Sequence, residues 1–280
     1  MKTTHNEFIK SPNKAITLLG MSGIGKTTLA NKLPKSQWFH YSGDYRIGTK
    51  YLEEPILDNI KERAMKIEFL ADLLKTDSIF ISSNITVDNL LPISMFLGKI
   101  GDPKKGGLSL DKFLKRQKMH KDAEIKAMMD VPEFIEKSRR IYEYDHFIND
   151  AGGSICELND TEAMSTLIEN TLILYIEDDD NIRDDLIQRA RENPKPMYYT
   201  EEFLLEHLEY YAKETGEIDQ NINPNNFVRW VFPKLLDYRK NKYEIIAKNY
   251  GYRVKASEIA LVEKETDFIE LVAQAIKSNE

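Results

Sequence analysis

The sequence predicts a three-layer α/β fold: a mostly parallel sheet of about five strands between helices, with a helical insertion and a helical C-terminal extension. Two observations carry the prediction. Short β-rich apolar runs alternate with segments of helical period through the first 200 residues, which is the pattern of strand-helix-strand units. The first of these runs, Ala15 to Leu19, opens directly into a glycine-rich loop and a helix; in parallel sheets such loops at strand ends meet ligands. Residues 1–200 read as the core, with the insertion at about 88–142. Residues 201–280 read as the extension, whose terminal helix packs back on the core.

The loop after the first strand is Gly20-Met21-Ser22-Gly23-Ile24-Gly25-Lys26-Thr27-Thr28, which completes G-x-x-x-x-G-K-[ST]. These residue types suit phosphate binding. Glycines let the main chain curl so that successive N–H groups point at a polyphosphate, Lys26 reaches the β and γ phosphates, and Thr27 offers a hydroxyl to Mg²⁺. The helix that follows favours an anion at its N-terminus. ATP with Mg²⁺ is the expected ligand. The guanine motif Asn-Lys-x-Asp is missing, which favours ATP over GTP modestly.

Gln37 to Ser42 reads as the second strand, ending in Gly43-Asp44-Tyr45-Arg46. A carboxylate and a guanidinium at that strand end would face the phosphate loop; a turn or cap explains Asp44 as well. The phosphate loop, a strand, and Ser-Gly-Asp with an Arg two residues on resemble the small P-loop kinases, in particular gluconate, shikimate and adenylate kinases. That resemblance implies a P-loop NTPase fold, an Asp44 that contacts the acceptor and serves as base toward its hydroxyl, and an Arg46 that binds anionic groups. The chain also resembles bacterial proteins described only as ATPases, which implies no substrate.

Apolar residues at helical spacing predict a helix over Glu54 to Lys75, and Ser78 to Asn84 reads as the third strand, with Asn84 and Asp88 near its end. Asp88 is expected to cap the next helix. Gly101 to Gly107 is a loop by composition. Residues 108–142 read as two helices broken near Pro132, with a basic face of Lys112, Lys115, Arg116, Lys118, Lys121 and Lys126. A solvated surface accounts for that face, and an anionic acceptor is the sharper reading.

Tyr144 to Asp150 approaches a fourth strand and runs into Gly152-Gly153. An acid there would sit near the magnesium, making Asp150 a metal-site candidate with Thr27. Thr171 to Ile176 reads as a buried strand, followed by Glu177-Asp178-Asp179-Asp180, which capping explains; Glu177 or Asp178 as the acid of a hydrolytic ATPase is the other reading. Gln188 to Tyr199 then resembles the arginine-bearing lid of shikimate and gluconate kinases, so Arg189, Arg191 and Lys195, with Arg183 behind them, are implied to cover phosphates. Beyond Thr200 the pattern gives helices over 201–213, 225–238 and 242–249, a small edge strand at 252–254, and a terminal helix with an apolar stripe.

The net charge of −7 offers no global attraction to nucleic acid or anionic lipid. One cysteine, Cys156, forms no internal disulfide, and five scattered histidines lack metal-ligand spacing. No run is long and apolar enough to span a membrane. The expectation is therefore a cytoplasmic ATP-dependent phosphotransferase acting on a small-molecule acceptor, anionic acceptors included, with nucleic acid and membrane unexpected and a protein partner open through the helical regions. ATP hydrolysis coupled to a conformational or assembly step, and a nucleotide-binding regulator, are the alternatives.

Overall fold

The computed structural model describes residues 2–218 and 221–279. Along the chain lie α1 (His5–Lys10), β1 (Ala15–Leu19), α2 (Lys26–Lys32), β2 (Trp38–Ser42), α3 (Gly43–Arg46), α4 (Glu53–Ala64), α5 (Glu68–Lys75), α6 (Leu91–Leu97), α7 (Leu110–Met129), α8 (Val131–Tyr142), β3 (His146–Asp150), α9 (Thr161–Asn170) and β4 (Leu172–Glu177). Then follow α10 (Asp180–Glu192), α11 (Glu201–Thr215), α12 (Pro224–Tyr250), β5 (Gly251–Lys255), α13 (Ala256–Ala260) and α14 (Glu265–Lys277). The strands form one five-stranded sheet in the order β2-β3-β1-β4-β5, and every pairing is parallel. The fold class is α/β with helices on both faces of that sheet.

β1 and β4 are apolar at nearly every position because both of their faces are covered, as parallel strands require. Alternation divides their side chains between two cores. Ile16, Leu18, Leu174 and Ile176 pack with Leu29, Val254 and the α14 residues Phe268, Val272 and Ile276, while Leu19, Ile173 and Tyr175 pack with Ile56, Phe96, Met128 and Leu167. A third core has no strand in it: Phe113, Tyr199, Phe203, Tyr211, Phe227 and Leu235 join α7, α11 and α12.

Several elements differ from the sequence expectation. Ser78 to Asn84 pairs with no strand; Phe80 is 87% exposed, and the sheet position beside β1 is taken by β3, whose residues after His146 are all buried. Asp88 caps nothing: α6 begins after Leu90, and the Asp88 carboxylate accepts instead from Asn31. The helix expected over 54–75 breaks at Met65 to Ile67 into α4 and α5. The two helices expected at 225–249 are one, α12, which runs through Pro233. The small edge strand expected at 252–254 is present as β5, which pairs with β4 and completes the sheet.

Candidate functional site

Strand register brings three chain exits to one rim. Ser42 of β2 is level with Asp150 of β3, and Asp150 with Leu18 of β1, so the chain leaves the sheet at neighbouring points toward Asp44, Gly152-Gly153 and the Gly20–Thr28 loop. The carboxyl ends of a parallel sheet, beside the strand where connections reverse direction, are the place where such folds open a crevice.

The loop is held open by its glycines. Gly20, Gly23 and Gly25 have φ of 145°, 85° and 109°, values at which a Cβ is strained. Met21 and Ile24 turn inward and anchor the loop in the core, while Ser22 and Gly23 stay exposed. Lys26 starts α2, is buried, and donates from Nζ to the carbonyls of Gly20 at 2.7 Å and Met21 at 3.1 Å. Burial draws its pKa down, against the opposing pull of Asp150 and Asp44. The Thr27 hydroxyl donates to Asp150 Oδ2 at 2.5 Å. Thr28 lies exposed on the next position of α2.

Asp44 is partly buried and lines a cleft of about 330 Å³ together with Ser22 and Gly23. Burial first, and then the Asp150 carboxylate, push its pKa up to about 6, with Lys26 pulling it down. The chain leaving β3 passes between this carboxylate and the loop only because it is glycine: a Cβ on Gly153 would stand 2.7 Å from the Ser22 nitrogen, and one on Gly152 would overlap Glu124 Oε1.

Three residues that carry no motif complete the site. Glu124 of α7 is fully buried, accepts from Ser154 Oγ at 2.6 Å, leaves Oε1 without a hydrogen bond, and has its pKa pushed up to about 8 by burial. One turn earlier His120 lines the cleft, 7% exposed, its Nδ1 3.8 Å from Glu124 Oε2 and without a hydrogen bond; burial holds it down to about 4, so the ring is neutral. Arg239 of α12 also lines the cleft. It donates to Glu157 Oε2 from Nε at 2.8 Å and from Nη2 at 2.5 Å, and to the Tyr198 carbonyl at 2.8 Å. The sequence signal for these residues is a polar side chain at an apolar period position: His120 and Glu124 flank Ala123 and Ala127, and Arg239 continues the stripe of Leu235 toward Tyr243.

Other predicted residues are placed elsewhere. Arg46 does not line the cleft; its Nε donates to Asp130 at 2.7 Å and its guanidinium lies over the Phe134 ring at 4.9 Å. Because α3 is helical, residues two apart point to different sides, so Asp44 and Arg46 diverge. The same geometry separates Arg189 from Arg191 on α10. Arg189 lines the cleft with its guanidinium 3.4 Å from the Gly23 carbonyl, whereas Arg191 is exposed and outside it. Lys195 lines the cleft, exposed. Arg183 pairs with Asp237 and Asp178, and Glu177 and Asp178 both face Lys240, which accounts for those acids structurally. Arg116, in the basic face, is buried against Asn59 and the Phe96 carbonyl rather than solvated. Burial pushes the Cys156 thiol up to about 12, an inert group.

Thr27 and Asp150 are oxygen donors of the kind that Mg²⁺ takes and are the residues that would hold it. Among the described residues no three His, Cys, Asp or Glu gather to hold a metal by themselves, so its coordination would be completed by phosphate and water oxygens, as is usual for this ion. Among the described residues no helix is long and apolar enough to cross a membrane.

No protein-family model matches this sequence, and no curated protein matches it. Among solved structures, shikimate kinase from Bacteroides thetaiotaomicron is similar at 16% sequence identity, with 95% of this chain and 97% of that one covered and a TM-score of 0.35. An overlap that loose carries no argument about chemistry, which rests on the residues above.

Proposed function

We propose that this protein is an ATP-dependent phosphotransferase that moves the γ-phosphoryl group of ATP to a hydroxyl of a small acceptor. The observation that carries the reading is Asp44: a carboxylate lining a cleft that it shares with the phosphate loop, beside the Thr27–Asp150 pair. Hydrolysis needs room only for water. A cleft with apolar walls at Leu90, Ile93, Leu97 and Phe232 offers room for a second organic molecule.

In this reading the loop amides and Lys26 bind the triphosphate, and Arg189, beside Gly23, neutralises charge on the transferring group. Asp150 fixes the Thr27 hydroxyl toward the metal position. Mg²⁺, when bound, supplies charge neutralisation across the phosphates. Asp44 orients the acceptor hydroxyl and takes its proton as the acceptor oxygen bonds to the γ-phosphorus; the bond from that phosphorus to the bridging oxygen breaks, and its electron pair leaves with ADP. Arg46 and Arg191 have no part in this scheme.

The test is ADP release from the pure protein, in buffer alone and with a panel of small hydroxylated metabolites. Turnover that appears only with particular compounds supports phosphotransfer, and equal turnover in buffer alone overturns it in favour of hydrolysis. Lys26→Ala should abolish ATP binding in either case, measured by calorimetry with Mg²⁺ present.

A further inference from the structure

We propose that the acceptor is an uncharged alcohol with an apolar face, hydrogen-bonded by His120 and presented to Asp44, rather than an anion. This rests on the phosphotransfer reading and concerns what the cleft accepts.

The argument is a census of charge around Asp44. Three cations stand near the site: two are buried and committed, and the third is at the rim. Lys26 is held by the loop carbonyls and is taken up by the triphosphate in the proposed scheme. Arg239 is neutralised by Glu157 through two hydrogen bonds to one carboxylate oxygen, with both side chains buried. Arg189 stands exposed at Gly23. The other cation on the cleft wall, Lys195, is exposed and in contact with solvent. Against them stand Asp44 and Asp150. An anionic group pushed in beside Asp44 would therefore lose its water, meet a like charge, and find no spare cation to pair with.

What the wall offers instead is neutral hydrogen-bonding capacity. His120 lines the cleft at 7% exposure, and its ring is uncharged. Glu124 backs that ring instead of facing the cleft, with Oε2 3.8 Å from His120 Nδ1 and Oε1 against Gly152. A neutral imidazole donates one hydrogen bond and accepts another, which matches alcohol groups. Much of the remaining lining is apolar, with Leu90, Ile93 and Leu97 on α6 and the segment leading into it and Phe232 on α12. The molecule that fits hydroxyls on one side and hydrocarbon on the other is a neutral sugar, cyclitol or nucleoside.

The experiment uses the full chain with ATP and Mg²⁺ and matched acceptor pairs that differ in one charge: a hexose and its hexonate, glycerol and glycerate, a nucleoside and its 5′-monophosphate. The expected result is that ADP release is stimulated at least tenfold more by the neutral member of a pair. His120→Ala should raise the KM for that acceptor at least tenfold and leave the KM for ATP within twofold, with His120→Gln recovering part of the loss. Glu157→Gln, which frees the Arg239 charge, should shift preference toward the anionic member. Stimulation by anionic members only would overturn this inference and leave phosphotransfer standing. So would a His120→Ala variant whose defect is in ATP. No stimulation by any compound would remove the phosphotransfer reading, and this inference with it.

Discussion

Asp44 and Glu124 are two carboxyls near one glycine pair with different expected titrations. With Asp44 at about 6, the base form fills in as pH rises through that value, so kcat/KM for the acceptor should climb between about pH 5 and 7 and then level. Asp44→Asn should cut phosphoryl transfer by about 10²–10⁴-fold while ATP affinity changes little, since general base catalysis contributes that much; full activity in the variant would remove Asp44 from the mechanism. Glu124 gives a stability prediction. Its pKa is raised from an ordinary 4.5 to about 8 in the fold, so between those values the native state binds the extra proton and stability falls as pH rises. Glu124→Gln, which mimics the protonated form, should therefore gain on the wild type in thermal melts as pH goes from 5 to 9. A difference that stays flat with pH would show that Glu124 is not held protonated. Of the residues in the site, Lys26 and Thr27 are legible because a spacing specifies them, and Asp44 and Asp150 because each ends an apolar run. Glu124, His120 and Arg239 lie within helices, where a charged residue in sequence looks like surface; their apolar-period positions are the one trace of burial, and the three-dimensional partners establish it.

Helical geometry decides which of the expected side chains meet. The sequence expectation treats Asp44 with Arg46, and Arg189 with Arg191, as pairs serving one site, the first from a shared strand end and the second from the resemblance to a kinase lid. Both pairs lie on helices, α3 and α10, where a spacing of two sends them apart. The third strand misleads for a related reason. Ser78 to Asn84 has the local β preference of a strand, but pairing in a parallel sheet is non-local, and His146 to Asp150 occupies the place between β1 and β2. The glycine pair after β3 can be tested as an element. A Cβ on Gly153 would stand 2.7 Å from the Ser22 main-chain nitrogen, so one of the two strand exits must move. Overpacking of this kind costs about 1–3 kcal/mol, and where the phosphate loop absorbs it, Gly153→Ala should weaken ATP binding by roughly 5- to 150-fold. Titration calorimetry reads this directly, and unchanged affinity would mean that the β3 exit and the loop are not in contact as described.

At the scale of the whole molecule, α12 joins parts that the sequence leaves separate. Phe232 and Leu236 enter one sheet-face core, Tyr243 and Ala247 the other, and Phe227, Val231 and Leu235 the strandless core with α11. The sequence expectation divides this helix at Arg239-Lys240-Asn241, a polar run that looks like a linker. The run is helical because other elements bring its counter-charges: Glu157 to Arg239, and Glu177 and Asp178 to Lys240. Arg239 thus stands where the cleft wall meets the cores, and its removal should be felt as stability before it is felt as chemistry. Breaking a buried ion pair from one side leaves an uncompensated charge and costs about 3–5 kcal/mol, whereas replacing both partners by apolar groups of similar volume is often close to neutral. Arg239→Met should accordingly lower unfolding stability by about 3–5 kcal/mol in urea titrations, and the double variant Arg239→Met with Glu157→Met should regain most of it. The coupling between the two substitutions is the informative quantity. If the double variant were as unstable as the sum of the singles, the pair would not be what fastens α12 to the turn after β3, and the continuity of the three cores would have to rest on hydrocarbon packing alone.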